Sequence, residues 1–226
     1  MKRIFGGEVY EMILQNGNII FTYCIDSNET RVCIGYKMIS DDKYEPTDVA
    51  KNIYLLSKFG GNYKVSSELC SNYVTTKTAE LSSGILCICS DIGKTYLVDS
   101  TGMPVWSGDL KYKGEVPSDI AAYKNNIWAC YKNAGVLLRF NLSTMREELR
   151  IGGKNSPFNN PVNIFVDGSV ATISNAGSNK LVDIDLDSYV LKEREEFTES
   201  VYSFVKFKGK RCVLLESGLY LIDETE

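Results

Sequence analysis

Four positions at intervals of 42 residues, Gly84, Asn126, Gly168 and Lys210, each close a tight turn and lead into a short apolar run. The runs are Ile85–Cys89, Ile127–Cys130, Ser169–Ile173 and Arg211–Leu215. Polar residues end them at Asp91, Asn133, Asn175 and Ser217, again 42 apart. A period near 40 made of strand-like segments describes small sheets stacked as blades around an axis. Abundant Val and Ile, with 14 Tyr and 9 Phe, favour strands over helices. All-β folds of 226 residues are routinely one domain, so residues 1–226 are expected to form a single unit.

The best-formed repeat runs from Pro161 to Phe197. Val162–Val166 reads as a first strand, Asp167-Gly168 as a hairpin turn that tolerates positive φ, and Ser169–Ser174 as a second strand. Lys180–Ile184 follows as a third strand and Tyr189–Glu195 as a polar outer one. The preceding repeat gives Asp119–Tyr123, Ile127–Tyr131, Val136–Phe140 and Met145–Arg150; before it come Tyr73–Leu81, Ile85–Cys89, Thr95–Val98 and Pro104–Gly108. Third strands end at Asp99, Asn141, Asp185 and Asp223, whose side chains can bond the backbone two residues on and start the next hairpin.

The first repeat has Val9–Leu14, Asn18–Ile25 and Arg31–Met38. From Asn18 to Gly84 is 66 residues, and the excess of 24 is assigned to an insertion within 41–71. There Asn52–Phe59 and Tyr63–Ser67 read as a long hairpin that supplies the outer strand plus an extra strand or an enlarged loop. The last repeat, Val201–Phe207, Arg211–Leu215 and Leu219–Ile222, has no outer strand of its own. Lys2–Phe5 has the length to fill that place and remove the open edge, which closes a ring of five blades.

Two segments carry a family resemblance. Gly152-Gly153, Phe158-Asn159-Asn160-Pro161-Val162 and Asn175–Asp185 resemble the NHL repeat over 152–191, with Asn175 where that repeat has Asp and Lys180 where it has arginine. Lys94–Trp106, with Tyr96-Leu97-Val98-Asp99, Gly102 and Trp106, is similar to the repeat of quinoprotein-type propellers. Both imply membership of the β-propeller fold; the repeat count and the missing last outer strand make the expectation an all-β, five-bladed β-propeller whose last blade is closed by the N-terminal strand. Membership of such a fold does not carry a function with it.

Composition narrows the function classes. The net charge of −4, with signs mixed along the chain, offers no basic face for nucleic acid or an anionic membrane. No apolar stretch reaches the length of a membrane span or a signal-peptide core. Seven cysteines, mostly inside apolar runs, suit buried thiols and a reducing cytoplasm. The chain contains no histidine, which removes Ser-His-Asp and Cys-His nucleophilic arrangements and the usual zinc sites. No cofactor is expected, although an all-oxygen Ca²⁺ or Mg²⁺ site stays open.

Candidate site residues follow from the register. Glu11, Lys77, Asp119, Pro161 and Ser203 each stand seven residues before the first hairpin position, at the start of the innermost strand and near the channel mouth. With Asn163 they could gather a small polar ligand or an ion; equally they could solvate the rim or pair with one another. Loops between second and third strands should share that face, with Asn133 and Asn175 in two Asn-Ala-Gly copies and Tyr202 nearby. That pattern suits an amide-lined surface or simply loops that need positive φ. Asp183, Asp185 and Asp187 could hold a cation if the strand continued, or could be turn chemistry. Cys87 and Cys89 share one strand face as packing groups. Trp128 is expected in the core and Trp106 on the surface. These features predict a non-catalytic binding or scaffold module for a protein or small polar ligand, monomeric by default. The alternatives are a Ca²⁺- or Mg²⁺-dependent hydrolase or lyase using Glu11, Asp119 and Asn163, and a carbohydrate-binding propeller.

Overall fold

The computed structural model describes residues 1–6, 9–15, 18–27, 30–41, 43–47, 76–89, 94–99, 101 and 103–223. They form twenty strands and, among them, no helix. Strand β1 (Lys2–Gly6) stands apart in sequence from its sheet. Blade one follows as β2 (Val9–Gln15), β3 (Asn18–Ser27), β4 (Thr30–Ser40) and β5 (Lys43–Thr47). Blade two comprises β6 (Thr76–Leu81), β7 (Gly84–Cys89), β8 (Lys94–Asp99) and β9 (Pro104–Asp109). Blade three comprises β10 (Asp119–Tyr123), β11 (Asn126–Tyr131), β12 (Val136–Asn141) and β13 (Glu147–Gly152). Blade four comprises β14 (Pro161–Asp167), β15 (Val170–Asn175), β16 (Lys180–Asp185) and β17 (Leu191–Glu196). Blade five has β18 (Val201–Phe207), β19 (Lys210–Leu215) and β20 (Gly218–Asp223) from the C-terminal side, and β1 as its outer strand. The result is a five-bladed β-propeller.

Closure follows the expected route. β1 runs antiparallel to β20, with Lys2 opposite Leu221 and Gly6 opposite Gly218. Phe5 then reaches across to blade one, where its ring lies 5.0 Å from Phe21 and 5.4 Å from Tyr44. The blade-one outer strand is β5, early in the stretch assigned to the insertion; the expected hairpin at Asn52–Phe59 and Tyr63–Ser67 lies outside the described residues.

The continuous apolar runs of the second strands have a direct cause. Each is buried on both faces, because a neighbouring blade covers either side. Ile127, Ala129 and Tyr131 of β11 face blade two, in a core shared with Ala79, Leu86 and Ile88. The alternate residues Trp128 and Cys130 face blade four, against Ile164, Ala171 and Ile173. Val213 and Leu215 of β19 pack toward blade four, whereas Cys212 and Leu214 pack toward Met12, Ile19 and Phe21 of blade one. Between blades one and two, Ile20, Ile85, Cys87 and Val98 are buried on the faces turned away from those clusters.

Turn chemistry is as the repeated Asp and Asn residues predict. Asp99 Oδ1 accepts from the backbone N–H of Thr101 at 2.8 Å. Asn141 Oδ1 accepts from Ser143 N–H at 2.9 Å, and Asp185 Oδ1 from Ser188 N–H at 2.7 Å. The hairpin turns between first and second strands carry the expected positive φ at Lys124 (52°) and Gly168 (60°).

Candidate functional site: the mouth of the central channel

The five innermost strands, β2, β6, β10, β14 and β18, surround a central cavity of about 340 Å³. Its wall includes Lys77, Asp119 and Asn163, with Ala121, Phe165 and Phe204 among the apolar neighbours. A single register position recurs around it. Glu11 stands opposite Thr22, Lys77 opposite Ile88, Asp119 opposite Cys130, Asn163 opposite Ser174 and Ser203 opposite Leu214. Every one of those partners is the fifth residue of its blade's second strand, so the five positions form a ring at one depth.

The ring corrects the assignment made at intervals of 42. Pro161 is not its blade-four member; Asn163 is. The second strand of blade four starts at Val170, two residues later than the spacing from Asn126 predicts, because its hairpin turn falls at Gly168-Ser169. Pro161 serves elsewhere, through its carbonyl, which accepts from the Ser118 hydroxyl of blade three at 2.7 Å.

Bonds pass around the ring from blade to blade. Asp119 Oδ2 accepts from Asn163 Nδ2 at 2.6 Å and from the backbone N–H of Ile164 at 3.1 Å. Asn163 Oδ1 in turn accepts from the backbone N–H of Phe204 at 3.1 Å. Asp119 and Asn163 thus each cap the N–H one residue beyond the ring position of the next blade. Asp119 is only 8 % exposed and Ser203 only 5 %, and the Ser203 hydroxyl has no hydrogen-bond partner among the described residues. The side chain of Glu11 lies outside the described residues. The Cys130 thiol is pushed well up from its usual range, first by complete burial and then by the nearby Asp119 carboxylate; Lys77 opposes the shift. Such a thiol stays protonated and unreactive.

The register also puts the loops between second and third strands at the same end as the ring. Asn133 is exposed there, and Tyr202 is 42 % exposed beside Ser203. Asn175 departs from expectation: it is fully buried, with Nδ2 donating to Ile173 O at 3.3 Å, and adds nothing to a surface. The two Asn-Ala-Gly copies need glycine for different reasons. Gly135 adopts φ 62°, whereas a Cβ on Gly177 would sit 2.6 Å from Asn159 Oδ1. Asp91, at the end of the corresponding run in blade two, lies outside the described residues.

Three residues of this face escaped the sequence reading. Glu115, Asn159 and Glu199 stand four residues before Asp119, Asn163 and Ser203, and each fastens the loop of its own blade. Glu115 accepts from Asn133 N–H at 2.7 Å and from Ala134 N–H at 3.0 Å. Asn159 Nδ2 donates to Gly177 O at 3.0 Å. Glu199 accepts from Ser217 N–H at 2.8 Å and from its hydroxyl at 2.6 Å. Their spacing carries the same two-residue slip, which hides them from a fixed period.

The remaining candidates are structural. Asp183 is held by Arg194 Nε at 2.9 and 2.8 Å and by the Thr172 hydroxyl at 2.8 Å. Asp185 belongs to its turn, where the Ser188 backbone N–H, ahead of that residue's hydroxyl, lowers its pKa. Asp187 is lowered by Lys124 first and then by the Tyr123 hydroxyl. The three carboxylates are thus committed to separate partners. Among the described residues no group of three or more Cys, Asp or Glu is gathered as a metal site would need. Trp128 is core, as expected. Trp106 is not a surface anchor: it is half-buried against the core shared by blades two and three, and its ring lies over Gly108.

No family model matches the sequence, and no curated protein matches it. The likeness to NHL and quinoprotein-type repeats therefore stands on its motif residues alone. Solved structures do match. Virginiamycin B lyase from Staphylococcus aureus, in a catalytically inactive histidine-to-alanine form with quinupristin, is 13% identical with a TM-score of 0.51, covering 99% of this chain and 72% of that one. A streptogramin B lyase is 16% identical with a TM-score of 0.50, covering 95% and 65%. The computationally designed Ika8 protein is 9% identical with a TM-score of 0.53, covering 94% and 70%. At such identities the likeness is one of fold.

Proposed function

We infer that this propeller is a non-catalytic binding module that receives a small polar ligand or a protein segment at its channel mouth. The observation that carries this reading is the ring itself. Five blades each bring one position to a single depth at a 340 Å³ cavity, and the four ring side chains that are described, Lys77, Asp119, Asn163 and Ser203, are all polar and come from separate strands. A rigid scaffold with convergent polar groups in a concave site is the usual form of a ligand pocket. The lyase among the structural neighbours is described as catalytically inactive when a histidine becomes alanine, and this chain contains no histidine at all. That contrast supports binding over lyase chemistry. Among the described residues, the buried cysteines Cys87, Cys130 and Cys212 support a reducing compartment as part of the same reading.

The test is a library of polar metabolites screened by thermal shift against the wild type and Thr78→Trp, a substitution that fills the cavity. At least one compound is expected to raise the melting temperature of the wild type, as a ligand selective for the folded state must. The filled variant is expected to keep its β circular dichroism and lose that response. An equal response in both proteins would put the ligand elsewhere and overturn the reading.

A further inference from the structure

The net charge of −4 conceals an uneven distribution. Between residues 110 and 154, which hold blade three and its flanking connections, eight Lys and Arg stand against four Asp and Glu, a local net of +4. Residues 155–226 carry seven against twelve, a net of −5. Five of the eight cations, Lys111, Lys113, Lys132, Arg150 and Lys154, are exposed at the end of blade three that holds the ring. Backbone and side-chain bonds gather their segments into one surface. Tyr112 and Glu115 exchange N–H···O bonds of 2.9 Å around Lys113 and Gly114, whose φ of 51° and 85° make a tight hairpin. Glu115 ties that hairpin to the β11–β12 loop through the Asn133 N–H at 2.7 Å, beside Lys132. The Gly153 N–H, next to Lys154, donates to Gly135 O of the same loop at 3.1 Å. Tyr112 holds Lys113 Nζ 5.3 Å and the Arg150 guanidinium 4.9 Å from its ring centroid. The nearby carboxylates are committed: Asp109 to Lys111 at 3.2 Å, Glu147 to Arg150 at 2.9 Å, and Glu115 to backbone N–H groups. Lys113, Lys132 and Lys154 form no ion pair among the described residues.

We propose that this rim of blade three docks an acidic segment of a partner protein. Three ammonium groups without carboxylate partners, set around the Tyr112 hairpin, complement a short run of Asp or Glu side chains. A nucleic acid fits less well. It carries a phosphate at every nucleotide, so beyond blade three it would meet the excess negative charge of blades four and five. A peptide can confine its carboxylates to the few residues that cross one blade. Exposed charges act over about 8 Å at physiological ionic strength, so such a segment senses the rim more than the acidic blades. None of the five cations lines the central cavity, so the surface is separate from the channel.

The test uses the full chain and three fluorescein-labelled probes of equal length, read by anisotropy at low ionic strength. They are a peptide of alternating Glu and Ser, its counterpart with Gln for Glu, and an oligouridylate. Saturable binding is expected for the acidic peptide, weakening as salt is added, with the Gln peptide weaker by about tenfold or more. Lys113→Glu combined with Lys132→Glu should weaken the acidic peptide by about tenfold or more. Lys192→Glu combined with Lys208→Glu makes the same change of net charge at exposed lysines of blades four and five, and should stay within about twofold. Equal weakening by the two pairs overturns the proposal, because net charge alone then accounts for binding. So does an acidic peptide that fails to bind, or that binds no better than its Gln counterpart. Tighter binding of the oligouridylate through Lys113 and Lys132 overturns it as well, and makes the rim a nucleic-acid surface.

Discussion

The Asp119 carboxylate joins blades three and four through a single oxygen, taking an amide N–H from Asn163 and a backbone N–H from Ile164 in a nearly closed site. Removing it leaves both donors without an acceptor. Hydrogen bonds to a charged group contribute more than neutral ones, and an orphaned buried donor adds its desolvation penalty. Asp119→Ala is therefore expected to destabilise by about 2–4 kcal/mol. Asp119→Asn retains an acceptor oxygen and should cost about half as much, so urea unfolding of the pair separates the charge from the bond. This residue was legible in the sequence because it recurs in register with Lys77 and Ser203. Asn163 could be named a candidate but not given its place, because a two-residue slip in blade four moves the ring from Pro161 to Asn163. Asn175, read as a surface residue from its Asn-Ala-Gly motif, is fully buried beside a loop that Asn159 fastens at Gly177 O. Side-chain bonds between blades are invisible to a period; only the register shows which side chain meets which N–H.

At the scale of elements, the inner three strands of each described blade were readable and the outer ones less so. Inner strands begin and end at apolar runs set by burial on both faces. Outer strands begin where a turn releases the chain, and that turn is longer than its Asp or Asn start suggests. Met145 and Tyr189 adopt φ 54° and 61° and donate back to Asn141 O and Asp185 O, so β13 starts at Glu147 and β17 at Leu191. β1 was legible for another reason: the last blade lacked an outer strand, and the first apolar residues of the chain had nowhere else to pair. Phe5 is the residue that makes β1 more than an edge cover, since its ring meets four aromatic rings of blade one, at Phe21, Tyr23, Tyr36 and Tyr44. Truncating a buried Phe costs about 3–5 kcal/mol, and Phe5 is only half-buried. Phe5→Ala is accordingly expected to cost about 2–3 kcal/mol by guanidinium unfolding. It should also raise the hydrogen exchange of β20 amides that pair with β1, a change that simple loss of surface packing elsewhere would not produce.

The whole molecule is a ring that closes through a shared blade, with β1 from one end of the chain and β18, β19 and β20 from the other. Its seams are packed faces between blades, and the strand pairing within blade five adds backbone hydrogen bonds to closure. Lys2 lies opposite Leu221, so β1 and β20 bring the first and last described strands side by side, and a flexible linker is used to join residue 226 to residue 1. Two circular permutants then isolate what the shared blade contributes. Opening the chain between Ser143 and Thr144, in the turn from β12 to β13, leaves blade three assembled from both new ends, one strand from the first and three from the last. Opening it between Lys154 and Asn155, in the loop from blade three to blade four, leaves every blade continuous and closes the ring by face packing alone. Both cuts fall in exposed segments, where new ends are best tolerated. The first permutant is expected to unfold in one cooperative transition near the native midpoint. The second should unfold at lower denaturant and lose protection first along the seam between β10 and β14, where Asp119 meets Ile164. Equal midpoints for the two would mean that inter-blade packing closes the ring unaided and that strand sharing in blade five serves only to cover an edge.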